Sequence, residues 1–278
     1  MKALLASLAV GACLAALPTA VRADVAGRSS LRIASEGGYA PWNATDASGK
    51  LVGFEIELGR ELCRRLGVSC EFVALDWDGL IPALQSGRAD AIMATMSITP
   101  QREQVIAFAG PYANEPSVFV ARTASGMATP ADARLDLSEE SPADNTVLSR
   151  LAGTLTGKTV GVLAASTQSS FMTVHLPAVA VRAYDKLDNA GLDLAAGRID
   201  AVLAARSAVE AISRAHGAMV LVGPSIVGGE LGRGVGVGLR KSDETLKAAF
   251  TKAIAEATAD GTVARLSAQH FGFDVSVR

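Results

Sequence analysis

Leu84–Ala94 reads LQSGRADAIMA and Leu194–Ala204 reads LAAGRIDAVLA, with six identical positions at an offset of 110 residues. A segment repeated within one chain marks an architectural unit used twice. Both copies have the same local logic. The leucine closes a helix. Gly87 and Gly197 suit the left-handed conformation that caps a helix C-terminus, and Arg88 and Arg198 place a cation at the negative end of the helix dipole. Asp-Ala then opens a short apolar strand, Ala91 to Ala94 and Ala201 to Ala204. A helix feeding a buried strand, twice, predicts two α/β lobes of similar build. A cleft between lobes is where a small ligand sits. The competing reading is chance similarity between two ordinary helix–turn–strand joints.

Around the first copy, Leu31–Ser35 predicts a strand, and Leu58, Leu62 and Leu66 mark a helix that ends at Gly67. A strand at Cys70–Leu75, a helical face at Leu80, Ile81 and Leu84, and a strand at Ala91–Met96 follow. Thr99-Pro100 starts a helix, with Thr as N-cap and Pro at the first helical position. Pro116–Ala121 is extended. The order β-α-β-α-β-α-β predicts a parallel-sheet lobe. Thr123–Arg150 is rich in Ala, Ser, Asp and Glu, lacks a sustained apolar period, and reads as a surface insertion.

Around the second copy come a strand at Thr159–Leu163, a helix from Ser166, a strand at Val179–Tyr184 and a helix at Leu187–Ala196. A helix at Ala208–His216 and a strand at Met219–Val222 follow the repeat. Gly234–Leu239 is extended. Ser242–Asp260 is a helix with Leu246, Phe250, Ile254 and Ala257 on one face, and Arg265–Phe271 is the last helix. This tail has no sheet of its own, so it is expected to return to the first lobe. The expected division is residues 24–115 with 231–278 as one lobe and 116–230 as the other. Each lobe is expected to be a mainly parallel sheet flanked by helices. Two crossings between them make a two-stranded hinge, a common device for closure around a ligand.

A chain of 278 residues suits two domains, and a net charge of −2 gives no reason to expect nucleic acid or an anionic membrane surface as partner. Met1-Lys2, the apolar stretch Ala3–Leu17 and the small-x-small signal Val21-Arg22-Ala23 read as a secretory signal peptide over residues 1–23. Export to the periplasm follows. A form lipid-anchored at Cys13 is the alternative. Cys63 and Cys70, seven residues apart in the exported chain, are expected to form a disulfide contributing roughly 2–3 kcal/mol. The alternative is a pair of buried free thiols. His175, His216 and His270 show no ligand spacing, so neither a metal nor a cofactor is expected.

The strongest site signal is Ser97-Ile98-Thr99-Pro100-Gln101-Arg102. A strand ends, polar residues line its carboxyl end, and an arginine stands in the next helix's first turn. Its planar fork matches a carboxylate bidentately. Ligands of open α/β sheets sit at the carboxyl ends of strands. A ligand carboxylate is therefore placed on Arg102, Ser97 and Thr95, after the strand end at Ala94. The bland alternative leaves Arg102 a solvated surface residue. In the second lobe, the strand ending at Leu163 meets Ser166-Thr167-Gln168, either a second grip on that carboxylate or an ordinary N-cap. Glu36, Tyr39 and Trp42 lie on the first strand's exit loop. With Trp77 they suit a cationic group, through charge from Glu36 and aromatic faces from Tyr39 and Trp77. Core packing is the alternative for each aromatic.

Enzyme signatures fare poorly. Gly157-Lys158-Thr159 lacks the earlier glycine that a phosphate loop needs, and a strand follows it. Gly232-x-Gly234-x-Gly236 has the wrong spacing for a dinucleotide fingerprint, and there is no G-x-S-x-G elbow. A sensor domain is disfavoured, since no transmembrane segment follows.

Over residues 30–275 the chain resembles the periplasmic amino-acid-binding proteins of ABC importers, polar amino acid branch. The resemblance rests on Gly38-Tyr39-Ala40-Pro41, Leu51-Val52-Gly53-Phe54-Glu55-Ile56, Glu61-Leu62-Cys63, Asp90-Ala91-Ile92-Met93, Ser97-Ile98-Thr99 with Arg102, Val160-Gly161-Val162-Leu163, and Asp260-Gly261-Thr262. It implies a bilobed closing fold and a monomer that serves a membrane permease. It also implies an arginine like Arg102 on the ligand α-carboxylate, assisted by positions like Thr95, Ser97 and Thr167. Cys63 and Cys70 match the disulfide of the lysine/arginine/ornithine and histidine binders. Those binders carry an aspartate for the α-ammonium where this chain has Ala205. Glu36–Asn43, Trp77-Asp78-Gly79 and Gly228-Gly229-Glu230 are similar to the opine-binding members, of octopine and nopaline type. The implied ligand is a basic amino acid or opine. The implied ligand-binding set is Glu36, Tyr39, Trp42, Trp77, Ala94, Thr95, Ser97, Arg102, Leu163, Ser166, Thr167, Gln168 and Ala205. The runner-up is a dehydratase-like enzyme on the same fold, with Glu36 or Glu230 as general acid.

Overall fold

The computed structural model describes residues 25, 27–127, 134–139, 141–217 and 219–277. The signal-peptide reading and Cys13 lie outside them. The first lobe opens with β1 (Ser30–Ser35), a small antiparallel sheet of β2 (Gly38–Tyr39), β3 (Asn43–Thr45) and β4 (Leu51–Val52), then α1 (Phe54–Leu66). It continues through β5 (Ser69–Ala74), α2 (Leu80–Gln85), β6 (Ala91–Ile92), α3 (Pro100–Glu103) and β7 (Ala107–Ala113). The second lobe holds β8 (Ser117–Arg122), β9 (Arg134–Asp136), α4 (Pro142–Leu155), β10 (Thr159–Leu163), α5 (Thr167–His175) and β11 (Ala180–Tyr184). It ends with α6 (Leu187–Ala195), β12 (Ala201–Ala205), α7 (Arg206–His216) and β13 (Met219–Val227). The chain then returns as β14 (Val235–Leu239), α8 (Glu244–Ala259) and α9 (Thr262–Phe271).

The two sheets have orders β5-β1-β6-β14-β7 and β11-β10-β12-β8-β13-β9. Each is parallel but for one strand: β14 runs against β6 and β7, and β8 runs against β12 and β13. Both reversed strands are the first element after the chain crosses from one lobe to the other. The crossings themselves are residues 114–116 and 228–234.

The repeat folds alike in both lobes. Gly87 and Gly197 both have φ +74°, and their N–H groups donate to the carbonyls of Leu84 and Leu194. A left-handed residue ends each helix without steric cost only if it lacks a Cβ. The aspartates explain themselves too. Asp90 accepts the Arg32 backbone N–H at 2.9 Å and Asp200 that of Thr159 at 2.8 Å, so each satisfies a donor on the neighbouring parallel strand.

Leu58, Leu62 and Leu66 of α1 are buried, as are Leu246, Phe250, Ile254 and Ala257 of α8, and α8 packs on α1 and β7 as the tail was expected to. Cys63 and Cys70 form a disulfide that joins the last turns of α1 to β5. No helix among the described residues is long and apolar enough to cross a membrane.

The stretch read as a surface insertion departs from expectation. Its described part contains β9, paired in parallel with β13, and α4, whose start at Ser141 is fixed by a reciprocal capping box with Asp144. Leu135, Leu137, Leu151 and Leu155 are buried in the second lobe's core. The apolar face of α4 runs from Val147 to Leu155 and straddles residue 150, where the expected boundary cut it in half.

Candidate functional site

The two sheets point the carboxyl ends of β1, β6, β10 and β12 at one another. Between them lies a cavity of about 650 Å³ counted out to its mouth. Twelve of the thirteen expected ligand-binding residues line it: Glu36, Tyr39, Trp77, Ala94, Thr95, Ser97, Arg102, Leu163, Ser166, Thr167, Gln168 and Ala205.

Arg102 enters from the first turn of α3, whose N-cap Thr99 accepts the Arg102 backbone N–H at 3.2 Å. The guanidinium donates to the Ser97 carbonyl at 3.0 Å and lies over the Trp77 ring, 5.2 Å from its centre. No acidic side chain among the described residues pairs with it. Burial lowers its pKa to about 10, which leaves it charged at neutral pH. A buried cation of this kind calls for an anion.

Glu36 is the complementary case. Both its carboxylate oxygens are buried without a hydrogen-bond partner. Burial, then the nearby charge of Glu55, pushes its pKa up to about 7, against a lowering pull from Lys186. Contacts from Tyr39 and Trp77 cross between the lobes. The Tyr39 hydroxyl accepts the Ala205 N–H at 3.3 Å, and the Trp77 indole donates to the Ala165 carbonyl at 3.4 Å. The structure therefore shows the lobes closed on each other.

The second lobe's wall is neutral. Ser166 caps α5, accepting the Ser169 N–H at 3.1 Å, and donates to the Leu163 carbonyl at 2.7 Å. Its hydroxyl thus does the ordinary capping work that was the alternative reading. The Gln168 amide donates to Ser117 at 3.0 Å, and the Thr167 hydroxyl to Gln168 at 3.3 Å.

Trp42 is the correction. It is fully buried in the first lobe's core and does not line the cavity. Its ring packs on Phe54 and Phe271, with centres 5.4 and 4.7 Å away. Its indole N–H reaches Ser207 at 2.7 Å and Glu115 at 2.9 Å. Glu230 is also displaced from the role the enzyme reading needed. It pairs with His175 at 2.7 Å and is not among the lining residues.

Sequence reasoning missed two acids. Glu115, on the first crossing, lines the cavity beside Asn114 and Ser117. Glu55, the second residue of α1, lies fully buried behind the wall. It accepts the Thr95 N–H at 2.6 Å, the Thr95 hydroxyl at 3.1 Å, the Asn43 amide at 2.7 Å and the Tyr112 hydroxyl. Asn43 in turn accepts the Gly37 N–H at 2.8 Å. This network ties the exit loops of β1 and β6 together and holds Thr95 at φ +54°, a left-handed conformation that a β-branched residue rarely adopts. Acids in the first turn of a helix usually face solvent at the positive end of the dipole, so Glu55 gave no signal of its own. Glu115 gave one: a charge between two apolar strands, ahead of Pro116.

The match to known proteins covers this whole frame. The model of the bacterial extracellular solute-binding proteins, family 3, matches residues 31–273. The chain belongs to that family. The chain is 39% identical over 268 residues to the lysine/arginine/ornithine-binding periplasmic protein of Escherichia coli (strain K12), covering 94% of this chain and 95% of that protein. It is 36% identical over 273 residues to the octopine-binding periplasmic protein of Rhizobium meliloti, covering 89% and 92%. Among solved structures it is similar to a periplasmic His/Glu/Gln/Arg/opine family-binding protein from Silicibacter pomeroyi in complex with lysine. There the TM-score is 0.72 and the identity 33%, over 89% of this chain and 100% of that one. Family members of this kind are binding proteins, not enzymes. The chain is accordingly an extracytoplasmic solute-binding protein, and nothing in these matches favours the dehydratase-like reading over that one.

Proposed function

We propose that the protein captures a basic amino acid, or a derivative of one, in the periplasm and presents it to the permease of an ABC importer. One observation carries the ligand class: the cavity between the lobes is lined by a buried guanidinium, Arg102, and a buried carboxylate, Glu36, and neither has a counter-ion among the described residues. A zwitterion with a cationic side chain would neutralise both. Its α-carboxylate would sit on Arg102, with Thr95, Ser97 and Thr167 as neutral donors. Its guanidinium or ammonium end would sit on Glu36, between Tyr39 and Trp77. Residues 24–115 with 231–278 and residues 116–230 would swing about the crossings at 114–116 and 228–234, opening the Tyr39–Ala205 and Trp77–Ala165 contacts to admit the solute. In this reading the signal peptide is removed near Ala23 and the mature protein acts as a monomer.

Calorimetric titration of the mature protein with arginine, lysine, ornithine, octopine and nopaline tests this. Saturable one-to-one binding of at least one of them is expected. Binding only of small neutral or acidic amino acids would remove Glu36 from the site and overturn the reading.

A further inference from the structure

We propose that Glu115 holds the ligand's α-amino nitrogen, so that the cavity accepts a basic amino acid with a free α-ammonium and discriminates against one whose nitrogen carries a carboxyalkyl group. The inference rests on the proposed function and sharpens it.

Glu115 stands on the first crossing, between β7 and β8, and lines the cavity. Its carboxylate is held in one orientation by three neutral donors: the Trp42 indole at 2.9 Å, the Ser207 hydroxyl at 2.7 Å and the Ser207 backbone N–H at 3.0 Å. No cation among the described residues pairs with it. β8 pairs Ser117 with Ala205, and the Arg206 N–H donates to the Pro116 carbonyl at 3.0 Å. The carboxylate is therefore delivered to the mouth of β12, where Ala205 offers only a methyl group. The Tyr39 hydroxyl stands at the same strand end, accepting the Ala205 N–H.

The charge count then selects the ligand. The lining residues include one guanidinium, Arg102, and two carboxylates, Glu36 and Glu115. Lys186, the cation acting on Glu36, is not one of them. The complement is one carboxylate and two cations, which a free basic α-amino acid supplies. An opine brings at least one further carboxylate and finds no second lining cation for it among the described residues, and a buried charge without a partner is expensive. Burial, moderated by the Ser207 and Trp42 donors, holds the Glu115 carboxyl up at about 7, where an arriving ammonium would ionise it.

The test compares arginine with its des-amino analogue, 5-guanidinopentanoate, which keeps the carboxylate and the guanidinium. Wild-type protein is expected to bind arginine about 100-fold more tightly than the analogue and more tightly than octopine. Glu115→Gln keeps one acceptor oxygen, for the Trp42 indole and the Ser207 hydroxyl, and gives up the one that receives the Ser207 backbone N–H. It is expected to bring arginine down to about the analogue's affinity while analogue binding moves less than about 3-fold. Equal losses for both ligands would mean that Glu115 acts only through the hinge, and would overturn the proposal. So would octopine binding as tightly as arginine, or analogue binding as tightly as arginine, both read on wild-type protein with no variant needed. Failure of the folded wild type to bind arginine, lysine or ornithine at all would instead refute the proposed function, and this inference with it.

Discussion

The two lobes share a frame and differ in what they show the cavity. β1 pairs Ile33 with Ala91, and β10 pairs Val160 with Ala201, and the two alanines occupy the same place in the repeat. Three residues further on, Glu36 and Leu163 hold equivalent positions in the cavity wall. Thr95 and Ala205 are likewise equivalent, each the first residue after the repeated segment. The first lobe therefore presents a carboxylate and a hydroxyl where the second presents an isobutyl group and a methyl. Arg102 adds to the asymmetry, because the second lobe runs from β12 straight into α7. Chemistry is concentrated on one half. The other half covers it, and burial strengthens the charge interactions inside. A duplicated scaffold can keep its turns and its strand-start aspartates while its cavity positions diverge, because only the former are needed to fold.

The largest effect should come from breaking the charged half. Arg102→Ala is expected to weaken ligand binding by about 100-fold or more, since it strands a buried carboxylate, whereas Thr167→Ala on the neutral half should cost less than about 10-fold. Calorimetry on both variants measures the contrast. Comparable losses would show that the halves share the recognition.

The next effect lies behind the wall. Thr95 is left-handed at φ +54°, while its counterpart Ala205 sits at φ −57°, so of these two exit loops the first is the one that needs a scaffold to hold it. Glu55 is that scaffold. Glu55→Ala leaves the Thr95 N–H, the Asn43 amide and the Tyr112 hydroxyl without their acceptor. It is expected to destabilise the unliganded protein by about 3 kcal/mol in urea titrations.

Much of this was legible in the chain and some was not. The repeat predicted two lobes because a glycine-capped helix followed by an aspartate has few other uses. Arg102 could be found because Thr99-Pro100 is an unambiguous helix start. Trp42 was misplaced because its core partners, Phe54 and Phe271, include one more than 200 residues away in the chain, and nothing local distinguishes a buried indole from a cavity-lining one. Glu55 and Glu115 were overlooked for the same reason: their roles come from donors on other segments, Thr95, Asn43 and Tyr112 for one, Trp42 and Ser207 for the other. The α4 helix was lost because its apolar face is short and begins inside a polar stretch.

A pH comparison sharpens the role of Glu36, which faces Glu55, Asp76, Asp188 and Lys186. Its carboxyl is raised from 4.5 to about 7 on folding, so the folded state holds the proton more tightly. Its contribution to stability is present below about pH 4.5 and is lost as pH rises through 7. Relative to Glu36→Gln, the unliganded wild type should lose up to about 3 kcal/mol over that range. Affinity for a cationic ligand should move the opposite way, rising from pH 5 towards 8 as the carboxylate ionises. Thermal unfolding with and without arginine reads both signs. Parallel trends would contradict the placement of the cation on Glu36.

The smallest contrast concerns the repeat itself. Asp90 also meets Arg28 at 3.1 Å, Arg240 at 3.4 Å and Arg32 at 3.6 Å, whereas among the described residues Asp200 has only Lys158, at 3.6 Å, besides the backbone N–H that both satisfy. Asp90→Ala is expected to cost about 2 kcal/mol and Asp200→Ala about 1 kcal/mol, measured by chemical denaturation.

The most direct measurement is a crystal structure of the arginine complex. The ligand carboxylate is expected within about 3 Å of the Arg102 guanidinium, with the ligand guanidinium on Glu36 and both lobes closed as they are here. A reversed ligand, with its carboxylate on the second lobe and no anion on Arg102, would contradict the assignment of recognition to the charged half.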